Sequence, residues 1–388
     1  MSKMKLIAFY LPQYHTIPEN DEWWGKGFTE WTNVKKAKPV RKGQVQPKIP
    51  LHENYYCLLD DEVKKWQAEN AKKAGIYGFC YYHYWFNGKM LLERPAEQML
   101  QNKEIRMPFC FSWANEPWSR SWKGEAKDVI MAQSYGTRED WKKHFEYLLP
   151  FFRDERYIRE DGKPMFLIYK PDIMPQCYEM LAYWNELAMA EGFKGMYFGC
   201  QFPTSFRYKE NEKKFDFTVE FEPLYTRTAR QDFRNISTGK GRLQLLLRHP
   251  MRFMNLCLKK FCNKCLNRPI VFDYRKTCEI MTKREPYFAN AVPGMFTSWD
   301  KTPRNGSRAT IYAGSTPKLF EKYLKEQIRR AGSVYKTDYL FLTAWNEWGE
   351  GAYLEPDCEN GYGYLEAVRN ALADIGEPVE SMGEKGIR

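Results

Sequence analysis

Two glutamates stand three residues apart in the run Trp345-Asn-Glu-Trp-Gly-Glu350, directly after the apolar, strand-length stretch Phe341–Ala344. Bonds between sugars are broken by such pairs. One carboxyl is protonated and assists the departing oxygen, while the other is ionised and acts as base or nucleophile. Trp345 precedes the pair and Trp348 stands between its two members. Tryptophan offers a flat apolar face to a sugar ring and raises a neighbouring acid's pKa by excluding water. The alternative is a strand that ends in a polar, solvated loop.

The elements that would position this pair follow a rhythm. Strand-like apolar runs occur at Leu6–Leu11, Tyr77–Trp85, Pro108–Trp113, Pro164–Tyr169, Met196–Cys200, Phe217–Phe221, Gly294–Trp299 and Tyr339–Trp345. Segments with apolar residues three and four apart follow most of them: Asp60–Ala74, Arg138–Phe152, Pro175–Ala190, Pro317–Ala331 and Tyr362–Ala373. Thr137 and Thr316 are placed to start helices, and Gly75 and Gly332 to end them. Eight alternating units predict an α/β fold, a (β/α)8 barrel with enlarged loops, spanning 1–375 as one catalytic domain. The remainder, 376–388, reads as a flexible tail. A doubly wound sheet binding a nucleotide would need a glycine-rich turn after an early strand, and the sequence has none.

A barrel collects its reactive groups at the C-terminal strand ends. Here those ends carry Gln13-Tyr14-His15, Tyr82-His83-Tyr84-Trp85, Trp113 with Asn115, Glu116 and Trp118, Tyr169, Gln201, Glu222, Trp299, and Trp345-Asn346 before Glu347. The opposite ends are plain. That asymmetry predicts a substrate cleft, with Trp31, Trp85, Trp113 and Trp345 stacking on sugar rings. Gln13, His83, Asn115, Glu116 and Asn346 would hold hydroxyls. Asn115-Glu116-Pro117 resembles the Asn-Glu-Pro signature of retaining barrel glycosidases, although it follows the third predicted strand where theirs follows the fourth. No His/Cys/Asp/Glu spacing suggests a catalytic metal, and no cofactor is expected.

Of the 388 residues 16 % are aromatic, which suits a protein that binds rings. No stretch approaches the roughly 18 apolar residues of a membrane span. The ten cysteines are scattered, several in apolar runs, which fits reduced thiols in a cytoplasmic protein. The net charge is +11, but eleven Lys/Arg and one acid, Asp232, fall between Tyr225 and Pro269. The rest is near neutral, so a nucleic-acid surface is not expected and a basic insertion at 225–269 is. Its mixed apolar and basic residues fit peripheral contact with an anionic membrane, a helical lid on the barrel, or contact with an anionic or lipid-phosphate-linked glycan. Oligomeric state is not legible.

The stretches Ala8–His15, Asn20–Asn33, Gly78–Phe86 and Trp345–Glu350 resemble the WbsX family, glycosyltransferases of bacterial surface-polysaccharide (O-antigen or capsule) clusters. The likeness runs from Ile7 to about Pro356 and takes in Glu30 and Trp31 as further substrate-side residues. That family is in turn similar to glycoside hydrolase family 99, the endo-α-mannosidases. The likeness implies a (β/α)8 barrel and retention of configuration. It makes Glu347 the base that deprotonates the sugar's own 2-hydroxyl, and Glu350 the general acid. The sequence departs from that pattern at Gly349, where family 99 has histidine. A nucleotide-sugar transferase would instead be expected to carry an Asp-x-Asp, and a non-catalytic glycan-binding protein would need neither glutamate.

Overall fold

The computed structural model describes residues 4–119, 129–201, 214–229, 247 and 250–376. Its core is a barrel of parallel strands: β1 (Lys5–Tyr10), β2 (Gly78–Phe86), β3 (Phe109–Trp113), β4 (Lys163–Ile168), β5 (Tyr197–Cys200), β6 (Phe217–Val219), β7 (Ala291–Val292), β8 (Gly294–Phe296) and β9 (Tyr339–Thr343). β7 and β8 form one station, broken at Pro293, which has no N–H to give a ladder. β7 pairs with β6 through Thr218 and Ala291, and β8 pairs with β9 through Gly294 and Phe341. The Pro293 carbonyl accepts from Phe341 N at 3.1 Å. β1 lies between β9 and β2, so the ring closes as an eight-station barrel. All eight strand-like runs of the sequence supply these stations.

The barrel is filled by aromatic rings. Phe9 on β1 packs against Tyr82, Phe221 and Phe341 with centroids 5.3–5.7 Å apart. Outside run helices α1 (Pro18–Trp24), α2 (Glu30–Lys36), α3 (Asp61–Lys73), α4 (Arg94–Gln101), α5 (Arg138–Arg153), α6 (Cys177–Ala190), α7 (Leu224–Ala229), α8 (Pro250–Cys265), α9 (Tyr274–Met281), α10 (Thr302–Asn305), α11 (Pro317–Arg330) and α12 (Gly363–Ala373). Their starts follow from local chemistry. Thr137 and Asp140 form a reciprocal capping box on α5, and Thr316 accepts from Leu319 N ahead of Pro317. Gly75, at φ +85°, follows α3. Gly332 is not a stop: the chain continues through a π turn, Ala331–Tyr335, and ends on Lys336 in the left-handed conformation. No helix among the described residues is long and apolar enough to cross a membrane. Most of the basic segment 225–269 before α8, and the tail from 377, lie outside the described residues.

A small side sheet joins Ile270–Asp273, Thr310–Ala313 and Trp299–Asp300. It carries α10 across the C-terminal mouth of the barrel. Asp300 anchors this arm, accepting from Gln44 and Gln46 side chains at 2.7 and 3.0 Å and from Thr302 N at 2.9 Å.

Closure leaves no space at Gly294, where an added Cβ would overlap the Glu220 carbonyl oxygen of the neighbouring station. Gly294→Ala is therefore expected to destabilise the fold by about 1–3 kcal/mol. Chemical denaturation checks this, and an unchanged midpoint would mean that the closure is looser than described.

Candidate active site

At the C-terminal mouth lies a cleft of about 310 Å³. Tyr82 and Tyr84 of β2, Tyr169 after β4, Trp24, Trp118 and Trp299 form its walls. Gln13, Glu116, Lys301, Arg304, Glu347 and Glu350 supply its polar groups. Glu116 is ion-paired with Lys170. The mixture of flat rings and hydrogen-bonding groups suits a ligand with both faces and hydroxyls.

The charges centre on Arg304. Its Nε donates to Glu30 at 2.9 Å, Nη2 to Glu347 at 2.6 Å and Nη1 to Glu350 at 2.6 Å. Lys301 Nζ adds a second cation 2.8 Å from Glu350. Three carboxylates thus face two cations, and a single proton on one carboxylate makes the group neutral. Burial pushes the Glu347 carboxyl up to about 8, against the pull of Arg304 and with the help of Glu350 and Glu30. Burial also pushes Glu350 up, but Lys301 and Arg304 together outweigh it and hold its carboxyl below the usual range. The pair titrates as a unit. The direction we assign places the proton on Glu347, because Glu350 is the carboxylate held by both cations. This resting order is the reverse of the acid and base split that the family resemblance implies.

Gly349 makes the arrangement possible. A Cβ at this position would overlap Glu30 Oε1 and come within 2.8 Å of Arg304 Nε. The space that a histidine would fill is taken by the Glu30–Arg304 ion pair.

Beneath the pair, Glu355 holds the turn. It accepts from Tyr56 OH at 2.8 Å, Trp348 Nε1 at 2.7 Å and Gln67 Nε2 at 2.7 Å, and burial pushes its carboxyl up to about 7. Trp348 stacks on Tyr353 with centroids 3.7 Å apart. Asn346 is bound through both ends of its amide to the backbone of Leu11, at 2.7 and 3.0 Å. Asn115 does the same to Lys170, at 2.8 Å each way. These two amides continue the strand ladder past its end.

Of the residues singled out in the sequence, Gln13, Glu116, Trp299, Glu347 and Glu350 line the cleft. Glu30 lies buried directly behind it on Arg304. The others do not line this cleft, and their side chains are engaged elsewhere in the fold. His83 and Trp85 face outward onto α5: His83 Nε2 is 2.8 Å from His144 Nε2, and Trp85 stacks flat on His144 at 4.4 Å. Burial pushes the His83 imidazole down to about 3. Trp113 belongs to the same outer layer, donating to the Trp85 carbonyl at 3.1 Å. Trp31 donates to the Tyr56 carbonyl at 2.8 Å and packs on Trp348, and Trp345 packs on Phe79. Tyr14 donates to the Asn346 carbonyl. His15 is buried against the Pro12 carbonyl, and burial lowers its imidazole to about 4. Gln201 sits inside the barrel, donating to Tyr82 OH at 2.9 Å. Glu222 is buried against Arg284 and Thr226. Asn115 and Asn346 are occupied by backbone.

Sequence reasoning placed Tyr82, Tyr84, Trp118 and Tyr169 at the strand ends without singling them out as substrate residues, and it missed Trp24, Lys301 and Arg304. The tyrosines had a signal: side chains alternate along a strand, so Tyr82 and Tyr84 must face opposite His83 and Trp85. Lys301 and Arg304 had only their place just after Trp299-Asp300.

The family model described as glycosyltransferase WbsX matches residues 6–368. Two proteins of Xanthomonas campestris pv. campestris, each described as uncharacterized protein WxcX, are 35 % and 34 % identical over 380 residues. Those matches cover 95 % of this chain but 49 % of each relative, so the chain spans about half the length of the curated relatives it matches. Among solved structures, a family 99 endo-α-mannosidase of Bacteroides thetaiotaomicron, in complex with bis-tris-propane, superposes with a TM-score of 0.57 at 13 % identity, over 96 % of this chain and 97 % of that one. A glycoside hydrolase-like protein gives 0.56 at 13 % identity, over 96 % and 94 %. At such identity these two show the shared barrel fold. The match along nearly the whole chain places this protein in the glycosyltransferase WbsX family.

Proposed function

We propose that the chain is a carbohydrate-active enzyme of bacterial surface-polysaccharide metabolism, breaking or transferring a glycosidic bond with retention through Glu347 and Glu350. The observation that carries this reading is the pair of carboxyls, Glu347 and Glu350, held by Arg304 inside an aromatic-walled cleft. Glycosidic cleavage needs that inventory and no external cofactor. The barrel fold shared with family 99 supports it.

Within this reading Glu347 activates the nucleophile and Glu350 protonates the leaving oxygen, as the sequence motif implies. The resting proton sits on Glu347, so the reactive form has that proton on the other member of the pair. Proton count, and not proton location, fixes the pH profile of such a pair. With two protons there is no base, and with none there is no acid. A second reading is transfer from a nucleotide sugar, favoured by the family's printed description as a glycosyltransferase.

Three outcomes are expected. Glu347→Gln and Glu350→Gln should each lower cleavage of an unactivated glycoside by roughly a hundred- to ten-thousand-fold with the fold intact. With a glycosyl fluoride, which needs no acid, Glu350→Gln should recover much of its rate and Glu347→Gln should not. The opposite pattern would exchange the two roles, and full activity in both variants would remove the pair from catalysis. The kcat/KM profile should be bell-shaped. Its alkaline limb should lie near pH 8, where the pair loses its last proton, and its acid limb below the usual glutamate range. A limb at pH 5 in place of pH 8 would refute the assigned electrostatics. Gly349→Ala should push Glu30 and Arg304 aside, lower kcat by about tenfold or more and move the alkaline limb. An unmoved limb would mean that the ion pair does not set the proton's affinity.

A further inference from the structure

Helix α8 carries a stripe that the cleft does not use. Leu247 just before it and Met251, Met254, Leu258 and Phe261 within it are 54–74 % exposed. Within α8 the spacing is three, four and three residues, which at about 100° per residue puts those four side chains on one narrow face, and Leu247, four residues before Met251, continues the spacing in the sequence. Scattered exposed apolar residues are ordinary, but a continuous stripe of long ones marks a surface that something covers. A lid would turn that face onto the barrel. Here it faces solvent, and the helix is tied down at its C-terminal end, where Asn263 donates to the carbonyls of Arg268 and Arg308 at 2.9 and 3.1 Å.

The charge of the segment selects the occupant. Every charged residue from Pro250 to Cys265 is basic: Arg252, Lys259, Lys260 and Lys264. The whole stretch Tyr225–Pro269 has eleven basic residues and one acid. A second copy of this chain would bring the same positive charge and be repelled. An anionic bilayer surface offers both things the segment lacks, acyl chains for the stripe and phosphates for its basic residues.

We propose that α8 is an amphipathic docking element that lays its Met251/Met254/Leu258/Phe261 face into an anionic lipid surface. The docking is independent of the chemistry in the cleft and would hold even if the carboxylate pair proved inert.

Vesicle flotation tests it, using the purified full chain with phosphatidylglycerol–phosphatidylcholine vesicles and with phosphatidylcholine alone. The protein should float with the anionic vesicles, less so at high salt, and stay behind with the neutral ones. Met254→Glu together with Leu258→Glu should reduce flotation by at least about tenfold. The thermal melt should not move, because both positions are exposed. Failure of the unaltered chain to float with anionic vesicles would overturn the proposal, as would equal flotation of the double variant. Concentration-dependent dimerisation that the double variant abolishes, without lipid binding, would assign the stripe to a second copy and overturn it too.

Discussion

One guanidinium organises the mouth of this barrel. Arg304 reaches three carboxylates, Glu30, Glu347 and Glu350, in a place where water is scarce and charge is costly to leave unpaired. Three carboxylates around Arg304 and Lys301 are one negative charge too many, and one proton corrects the excess. Burial and the neighbouring acids put it on Glu347, while the two cations keep Glu350 ionised. On the proposed reading, this gives the pair one acid and one base before any substrate arrives, the state that glycosidic chemistry requires.

The rest of the fold serves to keep that guanidinium in position. Arg304 stands on a four-residue helix, α10, too short to be fixed by its own hydrogen bonds. Its anchorage is Asp300, bound by Gln44, Gln46 and Thr302, and the side sheet behind it. Glu347 and Glu350 are fixed from the other side. Asn346 stitches their turn to the end of β1, and Glu355 gathers Tyr56, Gln67 and Trp348 beneath it. Gly349 lets the two halves meet, since any side chain there would displace Glu30.

The barrel itself was legible because its strands are buried on both faces and read as unbroken apolar runs. That same property hid the orientation of their side chains. A run such as Phe79-Cys-Tyr-Tyr-His-Tyr-Trp-Phe86 offers no polar face, so His83 and Trp85 look as accessible as Tyr82 and Tyr84. Only the closed ring decides that the tyrosines face the cleft and the other two face α5. Asn115 and Asn346 misled for another reason. At the end of a strand a carboxamide can replace a missing ladder bond as readily as it can hold a sugar, and here both do so. The two glutamates were visible from local pattern alone. Arg304 was not, because its partners lie 274, 46 and 43 residues away. The one trace it left is the missing side chain at Gly349.

The proposed chemistry has the Arg304-held pair act directly on a glycosidic bond, with no nucleotide donor. The most direct measurement is mass spectrometry of products after the purified chain is incubated with α-mannosides and with the host's own surface polysaccharide, each with and without nucleotide sugars. New reducing ends, or rearranged oligosaccharides, should form without any nucleotide sugar. Chain extension seen only when a nucleotide sugar is supplied would contradict the claim and assign the cleft to a different transfer chemistry.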